Sequence, residues 1–208
     1  MEYLLKGIGL GLFAAVTPSP YQAFLLQQTL KTHWRHAIPL VLAPFISDGP
    51  IIIIVLFALS RLPSTFLQII QIVGGVFILY LAYGAFLAFK TSLAAQEPKV
   101  KKSPLRRKAI LQAAFINILS PNPYIFWSTV LGPILLTGWR ESPGKGLSFL
   151  VGFYGMLIVG MGALVIIFDT AKKVFPKLTH LLLGGLTVLL FLFGLYQIWS
   201  GVSGILAH

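Results

Sequence analysis

Cysteine is absent from this 208-residue chain, and only five residues are acidic. The first absence excludes disulfide staples, thiol redox chemistry and thiolate metal sites. A membrane electron carrier, which would need a redox cysteine pair, is excluded with them. Charge of either sign is scarce as well: 10% of residues are charged, against roughly 25% in soluble domains that must show a polar surface to water. The four histidines, His33, His36, His180 and His208, fall in expected loops or ends. No catalytic set or metal-like cluster forms from them, so the chain does not read as an enzyme and calls for no cofactor and no metal.

What is present is apolar. Hydrophobic residues make up 57% of the sequence and mean hydropathy is +0.88, the composition of an integral membrane protein. Apolar runs fall at 4–29, 37–60, 66–89, 109–136, 146–168 and 179–206. Each exceeds the ~20 residues a helix needs to cross the hydrocarbon core, and the lack of strict alternation argues against a β-barrel. The expected fold is all-α, with six transmembrane helices. The start, Met1 to Pro20, has an apolar run of signal-peptide length. It reads as a retained first span, because it has an internal counterpart.

The net charge of +11 does not point to nucleic acid, because of where it lies. The 1–2, 3–4 and 5–6 connections carry Lys31 and Arg35, then seven basic residues from Lys90 to Lys108, then Lys172, Lys173 and Lys177. The opposite side carries only Lys6, Arg61, Arg140 and Lys145. This positive-inside bias places both termini outside and the basic loop in the cytoplasm, near anionic lipid headgroups.

Two copies of a three-span unit are visible. Thr17-Pro18-Ser19-Pro20-Tyr21 is echoed by Ser120-Pro121-Asn122-Pro123-Tyr124, and Gly74-Gly75 with Gly84 by Gly184-Gly185 with Gly194. An odd number of spans per copy inverts the second, which predicts a 3+3 inverted-topology repeat: 1–89, a basic cytoplasmic linker at 90–108, and 109–208. That plan is typical of secondary transporters. Proline lacks an amide hydrogen and forces its predecessor out of helical geometry, so each Pro-x-Pro should unwind about a turn. A third interruption is expected in span 2, from Pro44 through Ser47-Asp48-Gly49 to Pro50. Broken helices in spans 1, 2 and 4 would leave backbone groups that only protein, water or ligand can satisfy.

Asp48 is the one acid near the middle of an apolar run. An aspartate at a helix centre costs about 2.5–3.5 kcal/mol on insertion scales, so a function is expected of it: taking up and releasing a proton, or pairing with a cationic group. Asp169 closes span 5 beside Lys172 and Lys173 and reads as an interfacial ion-paired residue. Gly74, Gly75, Gly84, Gly184, Gly185 and Gly194 read as tight helix crossings. Trp34, Trp139 and Trp199 suit interfacial anchoring.

Together these residues resemble the LysE/RhtB amino-acid export translocators over nearly the whole length. The likeness is carried by Pro18-Ser19-Pro20, the apolar run from Asp48 to Leu59, the Gly-rich span 3, the basic central loop and Asn122-Pro123. The resemblance implies a proton-driven exporter of amino acids or related small metabolites in a bacterial inner membrane, working by alternating access. The expected substrate site comprises Thr17, Pro18, Ser19, Pro20, Tyr21, Ser47, Asp48, Asn117, Ser120, Pro121, Asn122, Pro123, Tyr124 and Trp127, with Asp48 coupling protons. The family commonly has Lys where this chain has Tyr124, and the aromatic surplus here suits a substrate more apolar than a typical amino acid. The alternative is a non-transporting structural or assembly protein on the same scaffold. A homo-oligomer is compatible with either.

Overall fold

The structure, a computed structural model, describes residues 1–58, 64–94, 106–174 and 176–206; among these there is no strand. In chain order the helices are α1 (Glu2–Val16), α2 (Pro20–Lys31), α3 (Trp34–Ala37), α4 (Ala43–Ala58), α5 (Ser64–Ala94), α6 (Arg106–Ile118), α7 (Pro121–Phe126), α8 (Gly132–Glu141), α9 (Pro143–Val174) and α10 (Pro176–Leu206). A 3₁₀ segment, Ile38–Leu42, leads into α4, and a π-helical turn, Trp127–Leu131, joins α7 to α8. Of the linker positions 90–108, residues 90–94 prolong α5 and 106–108 begin α6. Arg61, Lys99, Lys101, Lys102 and His208 lie outside the described residues.

Among the described residues, four stretches are long and apolar enough to cross a membrane: Trp34–Val55, Gln68–Leu87, Pro143–Val174 and Leu181–Leu206. The first and fourth apolar runs of the sequence are not among them, because each is divided. The 15 residues of α1 and the 12 of α2 are about 22 and 18 Å long at 1.5 Å per residue, each short of a ~30 Å core. α6 (13 residues) and α8 (10) are likewise short.

Proline and its neighbours set these divisions. Thr17 and Ser19, each preceding a proline, are extended (ψ 121° and 160°), and so is Ser120 before Pro121 (ψ 134°). That is the geometry proline imposes on the residue before it. Pro20 and Pro121 then open α2 and α7, where a missing N–H leaves no bond unmade.

The interruption expected in span 2 between Pro44 and Pro50 does not occur; α4 is helical through both. Pro44 falls in the first turn, where its amide would have had no intrahelical partner. Beside it, the Ser47 hydroxyl donates to the Ala43 and Pro44 carbonyls, at 3.0 and 3.2 Å, so these first-turn acceptors are engaged. The departure from α geometry lies upstream instead, in the 3₁₀ segment.

Helix pairing places small residues at the closest approaches. α1 lies along α9 through Tyr3, Gly7, Gly11 and Ala15, one residue every fourth position. A Cβ on Gly7 or Gly11 would stand 2.3 Å from the carbonyl of Phe149 or Phe153, and one on Gly152 would stand 2.5 Å from that of Leu4. The second long pair, α5 with α10, meets at Gly75 and Gly194. Gly74 instead receives the carbonyl of Leu119, while Gly84 and Gly185 have open space where a side chain would be and mark no crossing. α4 packs on α6, and α2 bridges α9 and α10. The main apolar core lies among α1, α2, α4, α6–α8 and α9, and the periphery carries exposed side chains such as Ile53, Val76, Val151, Leu181 and Val188. An apolar exterior is what a lipid-facing surface needs.

Two glycines of α1 separate packing from propensity. Gly11→Ala drives a methyl into the Phe153 backbone and should cost at least about 1–3 kcal/mol, whereas Gly9, with nothing within 4 Å of its would-be Cβ, should gain up to about 1 kcal/mol on substitution by Ala. Thermal unfolding of both variants in detergent checks the opposite signs.

Candidate functional site

The site is assembled where the two divided stretches face α4. At the first, Ser19 caps α2 by accepting the Gln22 N–H at 3.2 Å, and the buried Gln22 side-chain amide donates to the Ala15 carbonyl left over at the end of α1. The Thr17 amide and hydroxyl both return to the Phe13 carbonyl, at 3.0 and 2.7 Å. Tyr21 donates to the Leu40 carbonyl at 2.8 Å and so fastens this division to the 3₁₀ segment. At the second, the Ser120 N–H reaches the Asn117 carbonyl at 3.2 Å, and Pro121 starts α7 without a side-chain cap. The π-turn that follows begins at Trp127; such widened turns recur at functional sites.

Asp48, on α4, is 4% exposed. Its Oδ1 accepts from Asn117 Nδ2 at 2.9 Å, and its Oδ2 from the Tyr154 hydroxyl at 3.0 Å and Trp127 Nε1 at 3.4 Å. The second amide hydrogen of Asn117 serves Ser47 Oγ at 2.7 Å. All three donors to the carboxylate are neutral, and none of the ion pairs among the described residues involves Asp48. The Trp127 indole is braced edge-on against Phe153, with ring centroids 6.0 Å apart, and lies near Tyr154 at 6.5 Å.

Beside this carboxylate is a cavity of about 300 Å³, at the lower end of small-molecule sites. Of the residues expected from the sequence, Thr17, Ser19, Pro20, Tyr21, Asp48, Asn117, Ser120, Asn122, Pro123 and Trp127 line it. Four do not. Ser47 is fully buried behind Asp48, Pro18 is exposed, and Pro121 and Tyr124 are buried away from the cavity. Sequence reasoning missed the wall supplied by α9, Phe153, Leu157 and Met161, together with Phe13, Phe126 and Thr129. It also missed Tyr154, whose hydroxyl near the middle of an otherwise apolar run was the available signal.

Most polar hydrogens on the cavity wall are already committed. Thr129 donates to the Ile125 carbonyl at 2.6 Å, and Thr17, Tyr21, Asn117 and Trp127 donate as described. The Ser19 and Ser120 hydroxyls and the Asn122 amide remain. Among the described residues the lining contains no Lys, Arg or His.

Charge is concentrated instead at the two ends of α9. Asp169, 2% exposed, pairs with Lys172 at 2.7 Å and Lys173 at 3.0 Å, lies 3.8 Å from His33, and accepts the Trp34 N–H at 3.1 Å. Lys172 also donates to the Thr29 carbonyl at 2.9 Å and to that of Thr32, where the end of α2 favours a cation. The ion-paired reading of Asp169 agrees with these distances. At the other end, Tyr3 donates to Glu141 at 2.6 Å and Glu141 pairs with Lys145 at 2.7 Å, which together hold the Glu141 carboxyl below the usual range. Among the described residues no cluster suits a metal ion.

Residues 12–201 match the family described as LysE type translocator. The chain belongs to that family. It is an integral membrane transporter of a small-molecule substrate, and translocators of this family are not enzymes. It is also similar to a protein of Bacillus subtilis (strain 168) named "Putative amino acid efflux protein YcgF", 25% identical over 220 residues that cover 99% of this chain and all of that protein. No solved structure matches the translocator.

Two substitutions test how the site and the α9 end are held. Tyr154→Phe removes one donor from a buried carboxylate and should cost about 1–3 kcal/mol. Asp169→Ala strips a mostly buried acid from two lysines and should cost about 2–4 kcal/mol, against about 0–1 kcal/mol for Lys173→Ala, whose side chain is 57% exposed. Unfolding midpoints in detergent give the ranking.

Proposed function

We propose that the translocator is a proton-coupled exporter of amino acids or related small metabolites, with Asp48 as the proton-coupling group. The observation that carries this reading is a buried carboxylate with neutral donors only, set in the wall of a cavity of about 300 Å³ where two divided helices meet. A carboxyl away from water takes up a proton more readily than one in solution. With the site open to the cytoplasm, Asp48 gives up its proton and substrate binds. With the site open outside, a proton returns and substrate leaves, so inward proton movement drives outward transport.

Alternating access would follow from a 3+3 inverted repeat whose halves, 1–89 and 109–208, rearrange around the cavity. What supports the repeat is the pairing of helices: α1 with α9, α4 with α6, and α5 with α10. Exchanging the first, second and third spans for the fourth, fifth and sixth converts the first pair into the second and leaves the third unchanged. In this reading the divisions at Thr17–Ser19 and Leu119–Ser120 are the paired broken helices of the two repeats. The polar side chains of Thr17, Ser19, Asn117, Ser120 and Asn122 contact substrate, Tyr21 and Trp127 shape the pocket, and Ser47 and Tyr124, which do not line it, support those that do. Both termini face outward in an inner membrane, and the basic connections rest on anionic headgroups. The same three donors would also satisfy a purely structural acid, as in a non-transporting scaffold protein; against this stands the place of Asp48 on the cavity wall.

Counterflow in proteoliposomes decides the matter. With a panel of amino acids and their small derivatives, the wild type should exchange at least one solute at a rate that follows an imposed proton gradient. Asp48→Asn, checked for an unchanged elution profile in detergent, should lose that dependence. Unaltered coupling in the variant would reject the proton role, and an inert wild type would reject transport.

A further inference from the structure

The cavity has one formal charge on its wall and three uncommitted neutral groups, and this asymmetry selects a kind of solute. An amino acid brings two charges. Its ammonium finds a counter-charge in Asp48. Among the described residues its carboxylate finds no cation in the lining, only the Ser19 and Ser120 hydroxyls and the Asn122 amide. A buried carboxylate without a cation or a full set of donors is strongly disfavoured. The helix starts that face the cavity offer little to replace a cation, since Pro20, Pro121 and Pro123 occupy first-turn positions and have no N–H, and the Gln22 and Ala23 amides are taken by Ser19. The rest of the wall is aromatic and aliphatic, from Phe13, Phe126, Phe153, Leu157 and Met161.

We infer that the transported solute is a small primary amine with an apolar or aromatic body and no carboxylate, its ammonium seated on Asp48 and its body against the α9 wall. This rests on the transport reading given above and narrows it. It also explains how one acid can couple two movements. A single carboxylate can neutralise one proton or one ammonium, and the other titratable groups facing it, the phenols of Tyr21 and Tyr154, carry no charge at neutral pH. Loading one therefore displaces the other, and exchange is obligatory.

The test compares 2-phenylethylamine with phenylalanine, which share a ring and differ by the carboxylate, and 3-methylbutylamine with leucine. Wild-type protein in proteoliposomes, preloaded with each unlabelled compound, is assayed for counterflow of its labelled form. The amines should exchange at least about tenfold faster than their amino acids, after subtraction of the passive leak of uncharged amine in protein-free liposomes, and external amine should dissipate an imposed proton gradient faster with the wild type than in those liposomes or with Asp48→Asn. Asp48→Asn should abolish amine exchange. Tyr154→Phe, which keeps the charge, should raise the amine KM while retaining exchange. If phenylalanine or leucine exchanges as fast as its amine, or if only carboxylated solutes of the wider panel move with protons, the amine inference falls while the proton-coupled transporter stands. If no solute, amine or amino acid, exchanges at all, both fall together.

Discussion

Among the described residues the carboxylate of Asp48 is held by three hydrogen bonds, and each of these donors comes from beyond residue 108: Asn117 on α6, Trp127 at the start of the π-turn, and Tyr154 on α9. An acid in a helix of the first half thus depends wholly on the second half for its solvation. Charge buried in an apolar bundle is tolerated only when its lone pairs are met. The packing around Asp48 serves that end. Ser47 anchors the far hydrogen of Asn117, and Phe153 braces the Trp127 ring. A movement of α4 relative to α6, the π-turn or α9 would change this set of donors.

The two divided stretches give the cavity its polar rim and keep their own backbone satisfied. Gln22 and Thr17 answer the carbonyls at the end of α1, Ser19 answers amides at the start of α2, and Gly74 makes room for the Leu119 carbonyl. Away from this centre, Asp169 with its two lysines ties one end of α9 to the loop after α2, and Glu141 at the end of α8 links Tyr3 on α1 to Lys145 on α9. At the site, by contrast, a buried carboxylate lies beside irregular backbone.

Much of this was legible in the sequence, for definite reasons. Helical membrane character follows from composition and run length, and membership of the translocator family from a constellation spread along the chain. Ten of the fourteen proposed site residues share one cavity because prolines mark where backbone departs from the helix, and short polar side chains near them turn inward. The rest depended on facts that sequence does not carry. Pro44 and Pro50 look alike as breakers, yet α4 is helical through both: Pro44 falls in the first turn, where proline is tolerated, and Pro50 lies inside the helix with nothing in the sequence to mark it as accommodated. Phe153, Leu157 and Met161 read as ordinary apolar filling until the rotation of α9 about its axis is known. Glycine pairs likewise differ only by the direction they face, so Gly75 meets a neighbour and Gly185 does not.

The seat of α1 is made from residues far along the chain: Gly7 lies against Phe149, and Tyr3 bonds Glu141 across a separation of 138 residues. α1 therefore cannot take its seat until residues more than a hundred positions later have been made. Until α9 has been synthesised, a glycine-notched helix too short to span the bilayer lacks its main partner, and the carboxylate of Asp48 lacks the Tyr154 hydroxyl. The cavity wall of Phe153, Leu157 and Met161 is complete only when that long helix arrives.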